Sequence, residues 1–297
     1  MKDQIQDKIE EIAVSIDKLS QTIVKFSQKE YSEIIGDETP CTITEKKFAN
    51  GKTVKTKYWL KHEADFNDMT PLRWFDLGVV AVCSVYYQRG NLFTVDMILR
   101  ALTGGNKHFT DEQRRSVRDS IIRLMKTVIN VDMTETCRLM KRYQTNTPKR
   151  TAAVLPCELL EDVIINGQKT TAIRMYAQSP LMEIAERKKQ LLTIGYTLLA
   201  VPNLNNSPRV LTIKLFIITF ALIITRNLRN EFNFTNSITL QKIYEIADVT
   251  EDSRAVKFNV REVALKIVEW LKKQKVIKNF ELFYKNRKQL YAIKFII

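Results

Sequence analysis

Five cationic side chains crowd one short stretch of this sequence: Arg114, Arg115, Arg118, Arg123 and Lys126. A second set, Arg254, Lys257, Arg261, Lys266 and Lys273, spreads over 254–273. A third, Lys285, Arg287 and Lys288, falls within four consecutive residues. Guanidinium and ammonium groups donate hydrogen bonds to phosphate, and a guanidinium also fits the O6/N7 edge of guanine with two parallel bonds. The chain as a whole is cationic, with 47 Lys plus Arg against 33 Asp plus Glu and a formal net charge of +14. An excess of that size points to a polyanionic partner, nucleic acid first and an anionic membrane surface second. A generic basic protein would have the same composition.

Other chemistries are poorly served. A phosphate loop needs GxxxxGK[ST], whose glycines let backbone N–H groups approach the phosphates. Gly51-Lys52-Thr53 supplies only its end, and Lys46 stands where the first glycine belongs. No GxGxxG occurs. The two histidines, His62 and His108, are far apart and form no metal-binding pair of the kind a DNA-nicking enzyme uses. The cysteines, at 41, 83, 137 and 157, make no CxxC pair. The sequence therefore predicts no enzymatic activity, no metal and no cofactor. Scattered cysteines and a charged start without a signal-peptide apolar region predict a cytoplasmic protein without disulfides. The most apolar stretch, 215–224, is about ten residues, too short to span a bilayer, so no membrane partner is expected.

The first cationic cluster belongs to a helix. Thr110 is a fitting N-cap, Gln113 completes a capping box, and the helix runs to about Lys126. On a helical wheel Val117, Ile121 and Leu124 form a core face. Arg115, Asp119, Ile122, Arg123 and Lys126 lie opposite, with Arg118 on the flank. Arg115 and Arg118 are the expected base contacts, near the helix N-terminus. Arg114, closer to the core edge, is a phosphate candidate together with Arg123 and Lys126. A solvated basic face is the alternative.

The second cluster surrounds a helix expected to start after Asn259 and run to Gln274. Val260, Val263, Ala264, Ile267 and Leu271 make its core face, and Glu262, Lys266, Glu269 and Lys273 its outer face. That mixture also suits intrahelical ion pairs. Arg254, Lys257 and Arg261 lie at or before the N-terminus. Strands at 275–284 and 289–297 then flank the third cluster. A cationic hairpin tip suits phosphate or minor-groove contact, although an ordinary polar turn reads the same way.

Around these clusters the sequence repeats itself. A helix expected from Thr70-Pro71 ends near Arg89-Gly90. A short strand at Phe93, a Thr94-capped helix over 95–102, the cationic helix and a β-rich 128–133 follow. Farther on, Asn166-Gly167 marks a turn before a strand at 170–176. The order recurs after the loop 202–208: a helix capped by Ser207-Pro208, a short strand at Ile238, a Thr239-capped helix to Ala247, a further helix, then strands. Apolar and cap positions of 93–102 coincide with those of 238–247. Helix, short strand, helix, turn, helix and hairpin is the order of a winged helix.

Two features precede the repeat. Ile5, Ile9, Ile12, Ile16, Leu19, Ile23 and Phe26 alternate spacings of four and three, a heptad seam. It predicts a helix, either a coiled-coil arm for self-association through 5–26 or an amphipathic helix packed on its own domain. Asn50-Gly51 between 42–49 and 52–60 predicts a β-hairpin. Its lysines suit a solvated edge or phosphate contact.

The repeat, the linking segment 179–194 (SPLMEIAERKKQLLTI) and the basic second hairpin resemble the plasmid-type replication initiators of the tandem winged-helix Rep superfamily. The resemblance covers roughly 68–297. It implies an α+β, helix-rich fold of two tandem winged helices in pseudo-twofold arrangement. It further implies binding of double-stranded DNA at repeated origin sites, recruitment of host replication proteins, and no catalysis by the initiator. The N-terminal helix and hairpin stand outside it. The expected domains are a heptad helix at 1–30, a hairpin segment at 31–68, and winged helices at 69–178 and 179–297. A winged-helix transcriptional regulator and a protein-interaction module using the heptad arm are the alternatives.

Overall fold

The structure is a computed structural model that describes residues 10–15, 42–47, 53–62, 72–132, 134, 149–165, 167–187, 189–226, 235–250, 252–285 and 289–297. It is a mixed α+β protein with several small sheets. In chain order, β1 is Glu11–Ser15, β2 Thr42–Lys47 and β3 Thr53–His62. Then come α1 Trp74–Arg89, β4 Leu92–Thr94, α2 Val95–Thr103, α3 Asp111–Lys126, β5 Thr127–Asp132 and β6 Lys149–Ala153. β7 Cys157–Ile165, β8 Gln168–Met175, α4 Pro180–Arg187, β9 Leu191–Gly195 and α5 Tyr196–Leu199 follow. α6 Pro208–Thr225, β10 Ser237–Thr239, α7 Leu240–Ile246, α8 Arg254–Lys273, β11 Asn279–Lys285 and β12 Gln289–Ile296 complete the series.

The internal repeat is present in the strand pairing as well as in the element order. In the first copy β4 pairs antiparallel with β8, setting Phe93 opposite Ile173 and Thr94 opposite Ala172. In the second β10 pairs antiparallel with β12, setting Ile238 opposite Ile293 and Thr239 opposite Ala292. In both, the short strand joins the second strand of a hairpin, giving the sheet orders β4-β8-β7 and β10-β12-β11. The same register buries the same positions. Phe93, Ile173, Ile238 and Ile293 are each at most 3% exposed. Local sequence drives the helices that follow. Gln113 N–H donates to Thr110 Oγ1 and Thr110 N–H to Gln113 Oε1, a complete capping box. Thr239 Oγ1 accepts from Lys242 N–H.

The first copy carries an insertion. Between α3 and the β7–β8 hairpin lie β5 and β6, which with the expected Asn50-Gly51 hairpin form a four-stranded sheet of order β2-β3-β5-β6. The hairpin register runs from Thr42 opposite Tyr58 to Lys47 opposite Thr53. β3 then pairs with β5, Leu60 opposite Ile129, so the hairpin is built into a sheet by long-range pairing.

The N-terminal heptad helix is corrected. Glu11–Ser15, in the middle of the expected helix, is a strand that pairs with β9, and Tyr196 N–H donates to the Glu10 carbonyl beside it. Ile12 and Val14 also satisfy the two-residue period of a strand, and both are β-branched. Pairing with 191–195 buries Ile12 completely. The rest of 5–26 lies outside the described residues.

Two helix starts also differ. α1 begins at Trp74, three residues beyond Pro71, where the Asp76 carboxylate accepts from Arg73 N–H at 2.7 Å. α8 begins at Arg254, six residues before the expected start, because Ser253 Oγ caps it by accepting from Val256 N–H.

The chain divides into two compact units. One comprises Met1–Ile5, Ser15–Val95 and Val117–Leu191, the other Gln6–Val14, Asp96–Ser116 and Leu192–Ile297. In the first, α1 buries Phe75, Val79, Val80, Val82 and Cys83, and its Tyr86 ring stacks on Phe93 with centroids 5.2 Å apart. In the second, α6 is the central helix and packs against α8. Its apolar span is longer than the ten residues expected: 18 residues of mean hydropathy 1.9, of which 72% are buried inside the protein. Phe220 of α6 meets Phe295 of β12 at 5.6 Å.

Candidate nucleic-acid interface

The cationic residues of α3 fall into two groups, those committed to carboxylates and those left outward. Val117, Ser120, Ile121 and Leu124 are buried, as the wheel requires. Arg115 and Lys126 are exposed on the opposite side. Arg118 is also exposed, but its Nη2 lies 2.6 Å from Glu161 Oε1 on β7. Both side chains are nearly half accessible, so this pair is weak and exchangeable with a phosphate.

Arg114 is held more firmly. Its Nε and Nη2 donate to the two Asp96 oxygens at 2.7 and 3.1 Å, and Nη1 to Asp111 at 3.1 Å. The hydrogen bond to Asp96 raises the Arg114 pKa above its ordinary value. Two carboxylates thus engage three of the five N–H donors of this guanidinium, which ties the start of α3 to the start of α2 while its side chain stays 41% accessible.

Arg123 was expected to contact phosphate and is corrected. Its Nη2 and Nε donate to Asp76 Oδ1 and Oδ2, and Asp76 is fully buried. A guanidinium that leaves this carboxylate strands a charge in the core, at a cost of about 3–5 kcal/mol. Arg123 is therefore a structural residue.

In α8 the early start changes the face offered outward. Arg254 and Lys257 sit in the first turn and not ahead of it. Arg254, Phe258, Asn259, Lys266 and Lys273 are exposed, and Lys257 is half-buried. Val260, Ala264, Ile267, Val268 and Leu271 are buried, while Val263 of the expected core face is half-buried. Arg261 is half-buried, with Nη2 3.2 Å from Glu262 Oε1 and its guanidinium carbon 4.5 Å from the Phe258 ring centroid. Lys273 Nζ lies 5.9 Å from the Trp270 ring centroid, the loose end of a cation–π contact.

At the second hairpin Lys285 is exposed at the end of β11, opposite Gln289. Arg287 and Lys288 lie outside the described residues. The hairpin also carries exposed aromatic side chains that the charge pattern did not single out: Phe283, Tyr284 and Tyr291. Lys294 Nζ lies 5.9 Å from the Phe283 centroid and 3.1 Å from Glu281 Oε2.

The equivalent hairpin of the first copy, β7–β8, is less cationic. Lys169 pairs with Asp162, and Arg174 with Glu158. Asp162 adopts a positive φ of 58°, at the bulge between Leu160 and Val163. Sequence reasoning identified only the second strand of this hairpin. The acidic partners Asp76, Asp96 and Glu161 left no local signal in the sequence. Asp96 is 18 residues from its arginine and Asp76 is 47.

Among the described residues no group of three or more His, Cys, Asp or Glu side chains converges as a metal site would require. Cys83 and Cys157 are buried free thiols, and burial pushes the Cys157 pKa up to about 12. Neither is a nucleophile at neutral pH.

No protein-family model and no curated protein matches the sequence. Among solved structures, the chain is similar to domains 2–3 of RctB, at 12% identity and a TM-score of 0.39, over 88% of this chain and 93% of that one. A selenomethionine form of the same two domains matches over 87% and 92%, with the same identity and TM-score.

Proposed function

We propose that this chain is a non-catalytic, sequence-specific binder of double-stranded DNA that initiates replication of a plasmid or mobile element. On this reading the two copies are winged helices, α3 and α8 are their recognition helices, and β7–β8 and β11–β12 are their wings. The observation that carries it is the repeated register. Each short strand closes onto the second strand of its hairpin through equivalent residues, Phe93 to Ile173 and Ile238 to Ile293, and each copy presents a helix with cationic side chains outward. The net charge of +14 supplies the attraction to phosphate. The replication role rests on the resemblance of 68–297 to plasmid-type initiators, and with it come origin repeats as the target and host replication proteins as partners.

Footprinting on DNA flanking the gene is expected to reveal repeated sites. Absence of any preferred duplex at moderate salt would overturn the reading. A plasmid without an origin, supplied with the gene and its flanking DNA, is expected to replicate. Specific binding without replication would make the protein a transcriptional regulator.

A further inference from the structure

The two recognition helices do not offer the same chemistry to a DNA groove. Matching the buried Val117, Ile121 and Leu124 of α3 to Val260, Ala264 and Ile267 of α8 sets Phe258 in the place of Arg115. Both positions lie on the fifth residue of their helix and both face outward. Phe258 is 51% exposed, an apolar ring set near the start of α8 between exposed Arg254 and Lys266. Its ring is held in place: the Arg261 guanidinium lies over one side at 4.5 Å from the centroid and is itself anchored to Glu262. Ala255, one turn earlier, and Asn259 beside it are exposed too, with Arg254 and Lys266 flanking them as cations.

We infer that Phe258 is a specificity-determining residue that packs its open ring edge against the C5-methyl group of a thymine in the major groove. The inference rests on the proposed DNA-binding function and on α8 as a recognition helix. The thymine methyl is the apolar feature of the major-groove edge, and at this position it takes a side chain as long as Phe to reach it, which the single Cβ of Ala does not. Arg254 and Lys266 would hold the adjacent phosphates, so the polar contacts position the helix while the ring reads the base. The first copy, with Arg115 at the same place, would read guanine. A composite site would then hold a guanine-reading and a thymine-reading half.

The test begins with the full chain and a pool of randomised duplexes, from which bound sequences are enriched. Each thymine of the enriched site is then replaced by deoxyuridine, which removes only the methyl. At one thymine the wild-type protein is expected to bind about fourfold more weakly, the factor for one methyl group kept in water. Phe258→Ala is expected to bind both forms equally, at the wild-type level for the deoxyuridine form. If no thymine shows this loss, or if Phe258→Ala still senses the methyl, the inference is overturned while sequence-specific binding stands. If Phe258→Ala keeps its duplex preference but loses affinity for single-stranded oligothymidylate, the ring stacks on unpaired bases and the inference is likewise overturned. If no sequence is enriched at all, the proposed function falls and this inference with it.

Discussion

Arg123 grips Asp76 with two parallel hydrogen bonds, Nη2 to Oδ1 at 2.8 Å and Nε to Oδ2 at 3.2 Å, across 47 residues of chain. Asp76 also accepts the Arg73 N–H that opens α1. One buried carboxylate therefore caps a helix and anchors the far end of α3. Replacing Arg123 by Ala strands that carboxylate and is expected to destabilise the protein by about 3–5 kcal/mol. Asp76→Asn in the same chain is expected to recover a large part of the loss. Urea unfolding of the two single variants and the double variant measures the coupling. A loss below about 1 kcal/mol would return Arg123 to the solvent-facing set.

Arg115 and Arg118 are expected to behave differently. Arg115→Ala removes an outward group without breaking an ion pair among the described residues, and is expected to cost about 1–3 kcal/mol of discrimination between specific and scrambled duplexes. Arg118 is partly neutralised by Glu161 at 2.6 Å. Glu161→Gln is therefore expected to tighten binding to both duplexes. Titration of the two duplexes with each variant checks both statements. Equal losses on both duplexes for Arg115→Ala would reassign it to phosphate.

At the second hairpin, replacing Lys285, Arg287 and Lys288 together by Ser is expected to weaken all duplexes alike. For every phosphate the variant no longer neutralises, the slope of log affinity against log salt falls by about 0.9. An unchanged slope would remove this hairpin from the interface.

Lys214 on α6 is 2% exposed and donates from Nζ to the Leu199 carbonyl at 2.8 Å. Burial pushes its pKa down from 10.5 to about 7. Between those values the unfolded chain holds a proton there that the folded protein has released, so stability rises with pH from about 7 toward 10.5 and is flat below 7. The slope is at most about 1.4 kcal/mol per pH unit. Lys214→Met is expected to lose this rise, which unfolding curves at pH 6, 7, 8 and 9 would reveal as a wild-type stability that climbs above pH 7 relative to that of the variant.

Gly104, with φ +76°, sits where an added Cβ would lie 2.7 Å from the Leu199 carbonyl carbon and closer still to the Ala200 nitrogen. Gly104→Ala combines a left-handed conformation with a backbone clash, and is expected to cost more than the about 1–3 kcal/mol of the conformation alone. Thermal unfolding measures it. The neighbouring Gly105→Ala, with no atom near its Cβ, carries only the conformational part.

What the sequence made legible was governed by neighbours in the chain. Thr110 with Gln113, Ser207 and Thr239 all cap the helices expected of them, because a cap needs only a backbone N–H two or three residues on. The short strands at Phe93 and Ile238 were legible through the repeat. The heptad seam misled because Ile12 belongs to it and also, with Val14, to the two-residue period of a strand, and the pairing with 191–195 decides between them. The start of α8 was missed because Ser253 and Asn259 are both good caps, and only the earlier one is used. For the interface, the cationic side chains could be counted in advance, but not their acidic partners. Arg114, Arg118 and Arg123 look alike in sequence, and long-range pairing with Asp96, Glu161 and Asp76 separates them.

The pairing of β1 with β9 also has a consequence for synthesis. Ser15 leaves the ribosome roughly 180 residues before Gly195. At about 5–20 residues per second, the first strand waits on the order of 10–35 s for the segment that completes it. Throughout that interval the unpaired N–H and C=O groups of 11–15 are available to any other strand edge nearby, in the same chain or in its neighbour on the same message. Until 191–195 has been made, this strand has no partner, and crowded translation is the condition under which it is most exposed to a wrong one.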